Sequence, residues 1–193
     1  HAQPLADLFG HLVPEITLIV GACVLFVGGL YRSDRYVWTV AALGAILFAL
    51  ANATLSAQPH RLDGEAVFGV PVLVDSLAHW TRVIVLLTGL VLLLLYWDDV
   101  PRERVADHHA CFLVILAGAC LTGSANDLVT LFLALEMISI PTYVLLYLPR
   151  QDLDAQEASI KYFLLSVFSS ALLLFGFSYL YGLTGTTNLA GIL

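Results

Sequence analysis

The feature that most limits this chain is the recurrence of apolar runs, most of them near twenty residues, from one end of the sequence to the other. A run of that size is what about 30 Å of hydrocarbon requires at about 1.5 Å per helical residue. One such run could be a signal peptide or a core helix, but a whole series at spanning size points to the bilayer. Composition agrees: 60% of the residues are hydrophobic and 12% charged, against about 25% charged in a soluble domain. A water-soluble fold could not hide so much apolar surface. The sequence therefore predicts an all-α polytopic membrane protein.

The runs place spans at about Leu12–Tyr31, Tyr36–Ala57, Leu77–Tyr96, His109–Thr122, Asp127–Leu148 and Glu157–Tyr181, about six transmembrane helices. Between the second and third lies a polar stretch, Gln58 to Asp75, broken by Pro59, Asp63, Gly64 and Pro71. The third span closes on Tyr96-Trp97, a pair suited to a membrane interface. A charged segment around Pro101, a Gly123-Ser124-Ala125-Asn126 turn and a polar loop from Pro149 to Gln156 supply the remaining connections. Two regions follow: a three-helix region over 1–107 and a second over 108–193. The chain starts at His1 and stops at Leu193 just after an apolar run, so it is expected to be a piece of something longer.

Basic residues are retained on the cytoplasmic side of a membrane. Arg32, Arg35, Arg102, Arg104, Arg150 and Lys161 fall at one set of span ends, and only Arg61 and Arg82 at the other. That asymmetry predicts an N terminus outside the cytoplasmic membrane and an even number of spans returning the C terminus there.

Several functions are disfavoured. The net charge of -7 resides mostly in the short connections, and no basic patch interleaved with aromatics suggests nucleic acid. Cys23, Cys111 and Cys120 lack metal-ligand or C-x-x-C spacing and read as small packing residues. No Walker loop, dinucleotide fingerprint, haem attachment or nucleophile elbow is present. The chain itself is expected to bind neither nucleotide nor redox centre.

One residue stands out on energetic grounds. Glu136 lies nine residues after Asp127 in the fifth run, roughly 13 Å along a helix at about 1.5 Å per residue and close to mid-membrane. An ionised carboxylate there costs from about 3 to above 10 kcal/mol unless paired, hydrated or protonated. It reads either as a proton-relay or electrostatic-switch residue facing the bundle interior, or as a protonated acid fastening two helices. Ser139 and Tyr143 follow at i+3 and i+7, which predicts a shared polar face, and Pro141 removes a backbone donor and frees the carbonyl of Met137. That leaves a place for water beside Glu136.

Other polar groups are more ambiguous. Lys161 is the chain's single lysine, about one turn into the sixth run, with Glu157 four residues before it. It can snorkel and pair locally or serve a channel. Ser159, Ser166 and Ser170 form a stripe with Tyr162 on a different face from Lys161, which reads as small-residue helix packing. Glu15 after Pro14 reads as a helix-start carboxylate within reach of water. Asp75, His79 and Arg82 read as an interfacial face, and Asp107, His108 and His109 as a cytoplasmic helix start.

The stretch from Asn126 to Gly185 is more specific than composition. Its FLALE segment carrying Glu136, EASIKY carrying Lys161, and LLFGFSYLYGLTG resemble subunit N of the proton-pumping NADH-quinone oxidoreductase, respiratory complex I. The opening LVPEITLIVGACVLFVGGL and the GSANDLVTLF turn are similar too. The resemblance implies the N-terminal part of a fourteen-helix antiporter-like fold containing two inverted five-helix repeats. It further implies a channel in which Glu136 pairs with a lysine of a seventh helix, beyond Leu193, with Lys161 assisting. NADH, flavin, iron-sulfur clusters and quinone would then belong to other subunits, with no cofactor in this chain, and the partners would be other membrane subunits and the lipid bilayer. A sodium/proton antiporter subunit, a membrane-hydrogenase subunit of the same fold and a purely structural membrane scaffold are the alternatives.

Overall fold

The computed structural model describes residues 12–31, 34–55, 71–97, 100–148 and 152–192. Residues past Leu55 in the second predicted span, the breakers Pro59, Asp63 and Gly64, and the basic residues Arg32, Arg61 and Arg150 lie outside the described residues. The helices are α1 (Val13–Gly29), α2 (Arg35–Leu55), α3 (Ser76–Leu95), α4 (Val105–Ser124), α5 (Leu128–Tyr147), α6 (Leu153–Thr184) and a final turn, α7 (Leu189–Ile192). Among them, α2 to α6 are long and apolar enough to cross a membrane, and α1 is a shorter apolar helix of 17 residues.

A helix lies at each predicted span, with ends that differ among the described residues. Helix α4 begins at Val105 rather than His109, because its first turn holds polar groups that an apolar window does not capture. It also continues through Gly123 and Ser124, so the turn before α5 shrinks to residues 125–127. Helix α6 runs for 32 residues, about 48 Å at 1.5 Å per residue, and so overhangs about 30 Å of hydrocarbon. Asp75, Asp127 and Asp152 start α3, α5 and α6 by accepting a hydrogen bond from a backbone N–H of the first turn. Gly185 ends α6 in the left-handed conformation at φ 69°, its N–H bonded to the carbonyl of Tyr181 at 2.8 Å.

Helix α4 is the hub, touching α1, α2, α3 and α5, whereas α6 packs on α5. Small residues fill the seams: Ala22 of α1, Ala42 and Ala49 of α2, and Ala110 and Ala117 of α4 are buried. Large residues such as Val24, Phe48, Ile84 and Leu94 face outward. This inverts the soluble pattern, because lipid solvates large apolar side chains and the helices gain instead from close approach. The buried stripes recur at steps of three or four: Thr39, Ala42, Ile46, Ala49 and Ala53 on α2, and Ala78, Arg82, Leu86, Gly89 and Leu93 on α3.

At one end of the bundle, arginines serve carbonyls between helix ends. Arg35 donates to Val100 O, and Arg104 donates to Leu148 O at 2.9 Å, at the last turn of α5. At the other end the connections are stitched by backbone bonds. Leu73 N–H donates to Ser124 O, Asn126 N–H to Pro71 O, Leu128 N–H to Thr187 O and Leu189 N–H to Asn126 O, all at 2.8–2.9 Å. Non-helical backbone near hydrocarbon must be satisfied by protein in this way.

One expectation is corrected. Glu15 and Arg82 do not sit at a watery surface: they are 3% and 4% exposed, and Arg82 Nε donates to Glu15 Oε1 at 2.6 Å. The pair joins α1 to α3. Asp75 instead caps α3, and His79 packs edge-on against Trp80. Arg82 lies on the inner stripe of α3, and a charge on an inner stripe inside a bilayer needs a partner on the next helix. Removing one partner, as in Glu15→Ala or Arg82→Ala, is expected to cost about 3–5 kcal/mol, while replacing both by methionine recovers most of it. Thermal unfolding in detergent, read by the reactivity of buried Cys120, checks this.

Candidate functional site

The site is built on the α5–α6 seam. Glu136 is the ninth residue of α5, about 12 Å from its start at 1.5 Å per residue, and is half-buried. Its depth is set by Asp127, whose carboxylate bonds the N–H groups of Val129 and Thr130 and so fixes where the helix begins. Asp127 also accepts a hydrogen bond from Thr187, beyond the end of α6. One residue therefore sets the register of α5 and ties it to the chain that follows α6.

Glu136 turns toward α6, where the Ser170 hydroxyl donates to its Oε1. Ser170 is a member of the site that sequence reasoning assigned to packing. The half-buried residues of α6, Ala155, Ser159, Ser166, Ser170, Leu173 and Phe177, form one stripe along the seam. Packing is thus part of the stripe's role, but two of its serines also bond across it. Besides Ser170, Ser159 Oγ donates to the backbone carbonyl of Tyr143 at 2.7 Å. A signal was available in the sequence: Ser159 and Ser170 are eleven residues apart, which keeps them on one helical face.

The other predicted members behave differently. The Ser139 hydroxyl donates to Leu135 O at 2.9 Å, within its own helix, rather than to Glu136. Tyr143 packs its ring edge-on against Phe163 of α6, with centroids 5.3 Å apart. Pro141 is buried inside α5, which runs unbroken past it to Tyr147, while Thr142 donates to Ile138 O at 2.6 Å. Lys161 pairs with Glu157 on α6 itself, and its side chain is 73% exposed. It precedes Ser170 by nine residues, which at 100° per residue places it on the opposite face of the helix. The structure joins Glu136 to Ser170 and does not join Lys161 to either.

Behind Glu136, α4 approaches α5 at Gly118. A methyl group there would come within 2.9 Å of both Ala134 O and the Met137 Cβ, and within 3.0 Å of Ile138 Cγ1. Those residues flank Glu136, so the missing side chain lets α4 brace the turn that carries the carboxylate. Alanine favours a helix over glycine by about 1 kcal/mol, yet a clash with backbone cannot relax by rotating a side chain. Gly118→Ala is therefore expected to destabilise by about 1–3 kcal/mol, measured as a lower midpoint of thermal unfolding in detergent.

Comparison with known proteins agrees with this architecture. Residues 125–193 match the family described as NADH:quinone oxidoreductase/Mrp antiporter, TM. The NADH-quinone oxidoreductase subunit N of Azorhizobium caulinodans is 36% identical over 185 residues, covering 95% of this chain and 38% of that protein. The subunit N of Desulfovibrio desulfuricans is 39% identical over 195 residues, covering 98% of this chain and 37% of that protein. A chain of respiratory complex I from Thermus thermophilus superposes with a TM-score of 0.75 at 27% identity, over 91% of this chain and 38% of its own length. A chain of an archaeal membrane-bound sulfane sulfur reductase shares the fold, with a TM-score of 0.76 at 23% identity, over 97% of this chain and 39% of its own. Residues 125–193 thus carry the match to an antiporter-like membrane family, and the likeness to subunit N proteins extends along nearly the whole chain. The chain spans well under half the length of those N subunits of NADH-quinone oxidoreductase.

Proposed function

We propose that this chain is part of a membrane subunit of a proton-pumping NADH-quinone oxidoreductase, and that Glu136 is the charged element of its proton path. The observation that carries the reading is a carboxylate near mid-membrane, half-buried and bonded across the seam by one hydroxyl. Hydrogen bonds between helices in a membrane average about 0.6 kcal/mol and reach about 1.7. Placing the carboxylate there costs at least about 3 kcal/mol. As a fastener alone, an ionised Glu136 returns less than it costs.

As an electrostatic element it does more. Opposite charges about 4 Å apart attract by about 4 kcal/mol at an effective dielectric near 20, which is roughly a thousandfold in a protonation equilibrium. An ionised Glu136 would therefore hold the proton on an amine brought beside it and release that proton when the two separate. Glu136 then governs a neighbour's proton rather than carrying it. Lys161 stands on the face of α6 turned away from α5, where it can act toward a further helix packed against that face. In this reading the redox chemistry, with NADH, flavin, iron-sulfur clusters and quinone, takes place in other subunits, and residues 1–107 form a three-helix region ahead of the proton-translocating region that starts near 108.

The membrane is the bacterial cytoplasmic membrane, with the N terminus outside. Support comes from charge placement: Arg35, Arg102, Arg104 and Lys161 gather at one end of the bundle, while Arg82 at the other is consumed by Glu15. The partners are further membrane subunits. In the assembled complex, Glu136→Gln is expected to reduce proton translocation at least tenfold with assembly intact, and Lys161→Ala less steeply. Acidification measured in inverted vesicles against NADH oxidation tests both, and normal pumping by Glu136→Gln would sink the reading.

A further inference from the structure

Hydroxyls in these helices have a default use. The carbonyl four residues back lies within reach of any helical serine or threonine, and Thr122, Ser139, Thr142, Ser169 and Thr184 all donate to it at 2.6–2.9 Å. Ser169 and Ser170 are neighbours on the same helix. Ser169 bonds Leu165 O, whereas Ser170 gives its proton to Glu136. The local backbone offers Ser170 the same acceptor, the carbonyl of Ser166, and the carboxylate takes precedence because a charged acceptor makes the stronger bond.

We infer that Ser170 is a positioning residue for Glu136: its hydroxyl holds the ionised carboxylate against α6, and returns to the carbonyl of Ser166 when Glu136 turns to another partner. The inference rests on the reading of Glu136 given above and adds the group on α6 that responds to it. Its physical basis is that a hydroxyl with two acceptors exchanges one for the other without stranding a buried donor, so the change carries no desolvation penalty. The seam stays closed meanwhile. The Ser159 bond to Tyr143 O and the packed rings of Tyr143 and Phe163 are contacts in which Ser170 takes no part. Lys161 cannot take the place of Ser170, since it lies on the far face and is paired with Glu157.

One property of Glu136 then depends on Ser170. With Oε1 held, the carboxylate cannot rotate freely, so its charge is presented in one direction.

The test uses the intact complex with its full-length subunit in proteoliposomes. Infrared difference spectra locate the carboxyl stretch that disappears in Glu136→Gln. Ser170→Ala is expected to move that band and to lower protons translocated per NADH severalfold, and Ser170→Thr, which keeps the hydroxyl, restores both. Ser170→Ala added to Glu136→Gln is expected to cause no further loss. An unmoved band in assembled Ser170→Ala, or threonine behaving like alanine, overturns the inference. Full pumping by Glu136→Gln overturns the reading of Glu136 itself and is scored separately, because the band shift reports the Ser170 contact whether or not protons are pumped.

Discussion

In hydrocarbon an apolar side chain gains nothing by turning inward, and this constraint shapes the whole bundle. Helices that cannot be driven together by water are held by how closely their backbones approach and by the few polar bonds they exchange. Both devices are present. Alanines and Gly118 let α4 nest among α1, α2, α3 and α5, while Arg82–Glu15 and Ser170–Glu136 join neighbours by charge and hydrogen bond. Each of those polar contacts is paired across a seam, because the bilayer core offers an unpaired group no water. The Glu136 carboxylate and the Glu15–Arg82 ion pair thus obey one rule and differ in exposure: Glu15 and Arg82 are closed off, whereas Glu136 is only half-covered.

The same constraint explains what the sequence made legible. Spans could be read because their signal is one-dimensional: length and apolarity suffice, and Asp127 and Asp152 mark starts by their capping chemistry. Glu136 could be read because a carboxylate at mid-span is costly wherever it points. Facing directions were harder. In a soluble helix the apolar stripe marks the buried side, but here Val24 and Leu25 are equally apolar, one facing lipid and the other buried. Periodicity therefore carried no direction, and Glu15 and Arg82 were read as surface groups although the stripe of α3 takes Arg82 inward. Ser170 escaped for a related reason: a serine in a small-residue stripe looks like a spacer until the helix opposite is known to present an acceptor. The polar face drawn through Glu136, Ser139 and Tyr143 has a different outcome for each, since Ser139 satisfied itself within its own helix.

Helix α6 is the least supported part of the bundle. It has no buried residue, and one stripe of it contacts α5. The outward face carries Phe168, Leu172, Phe175 and Tyr179, along with the exposed Lys161. The stripe on α5 combines small and hydroxyl-bearing groups with Leu173 and Phe177, whereas the face away from it is built from large apolar ones, a division that suits a helix with one committed neighbour.

The backbone stitching of residues 71–75, 125–127 and 186–189 also has a mechanical meaning. Because it fastens the chain just past α6 to the start of α5, α6 is anchored at one end, and any tilt must swing about that anchor. Ser170 is roughly 21 Å from Thr184 and Leu153 roughly 46 Å, at about 1.5 Å per residue. A tilt about that anchor therefore displaces Ser170 by about half as much as the far tip. Helix α6 is in that sense a lever, with the hydroxyl that meets Glu136 partway along the arm.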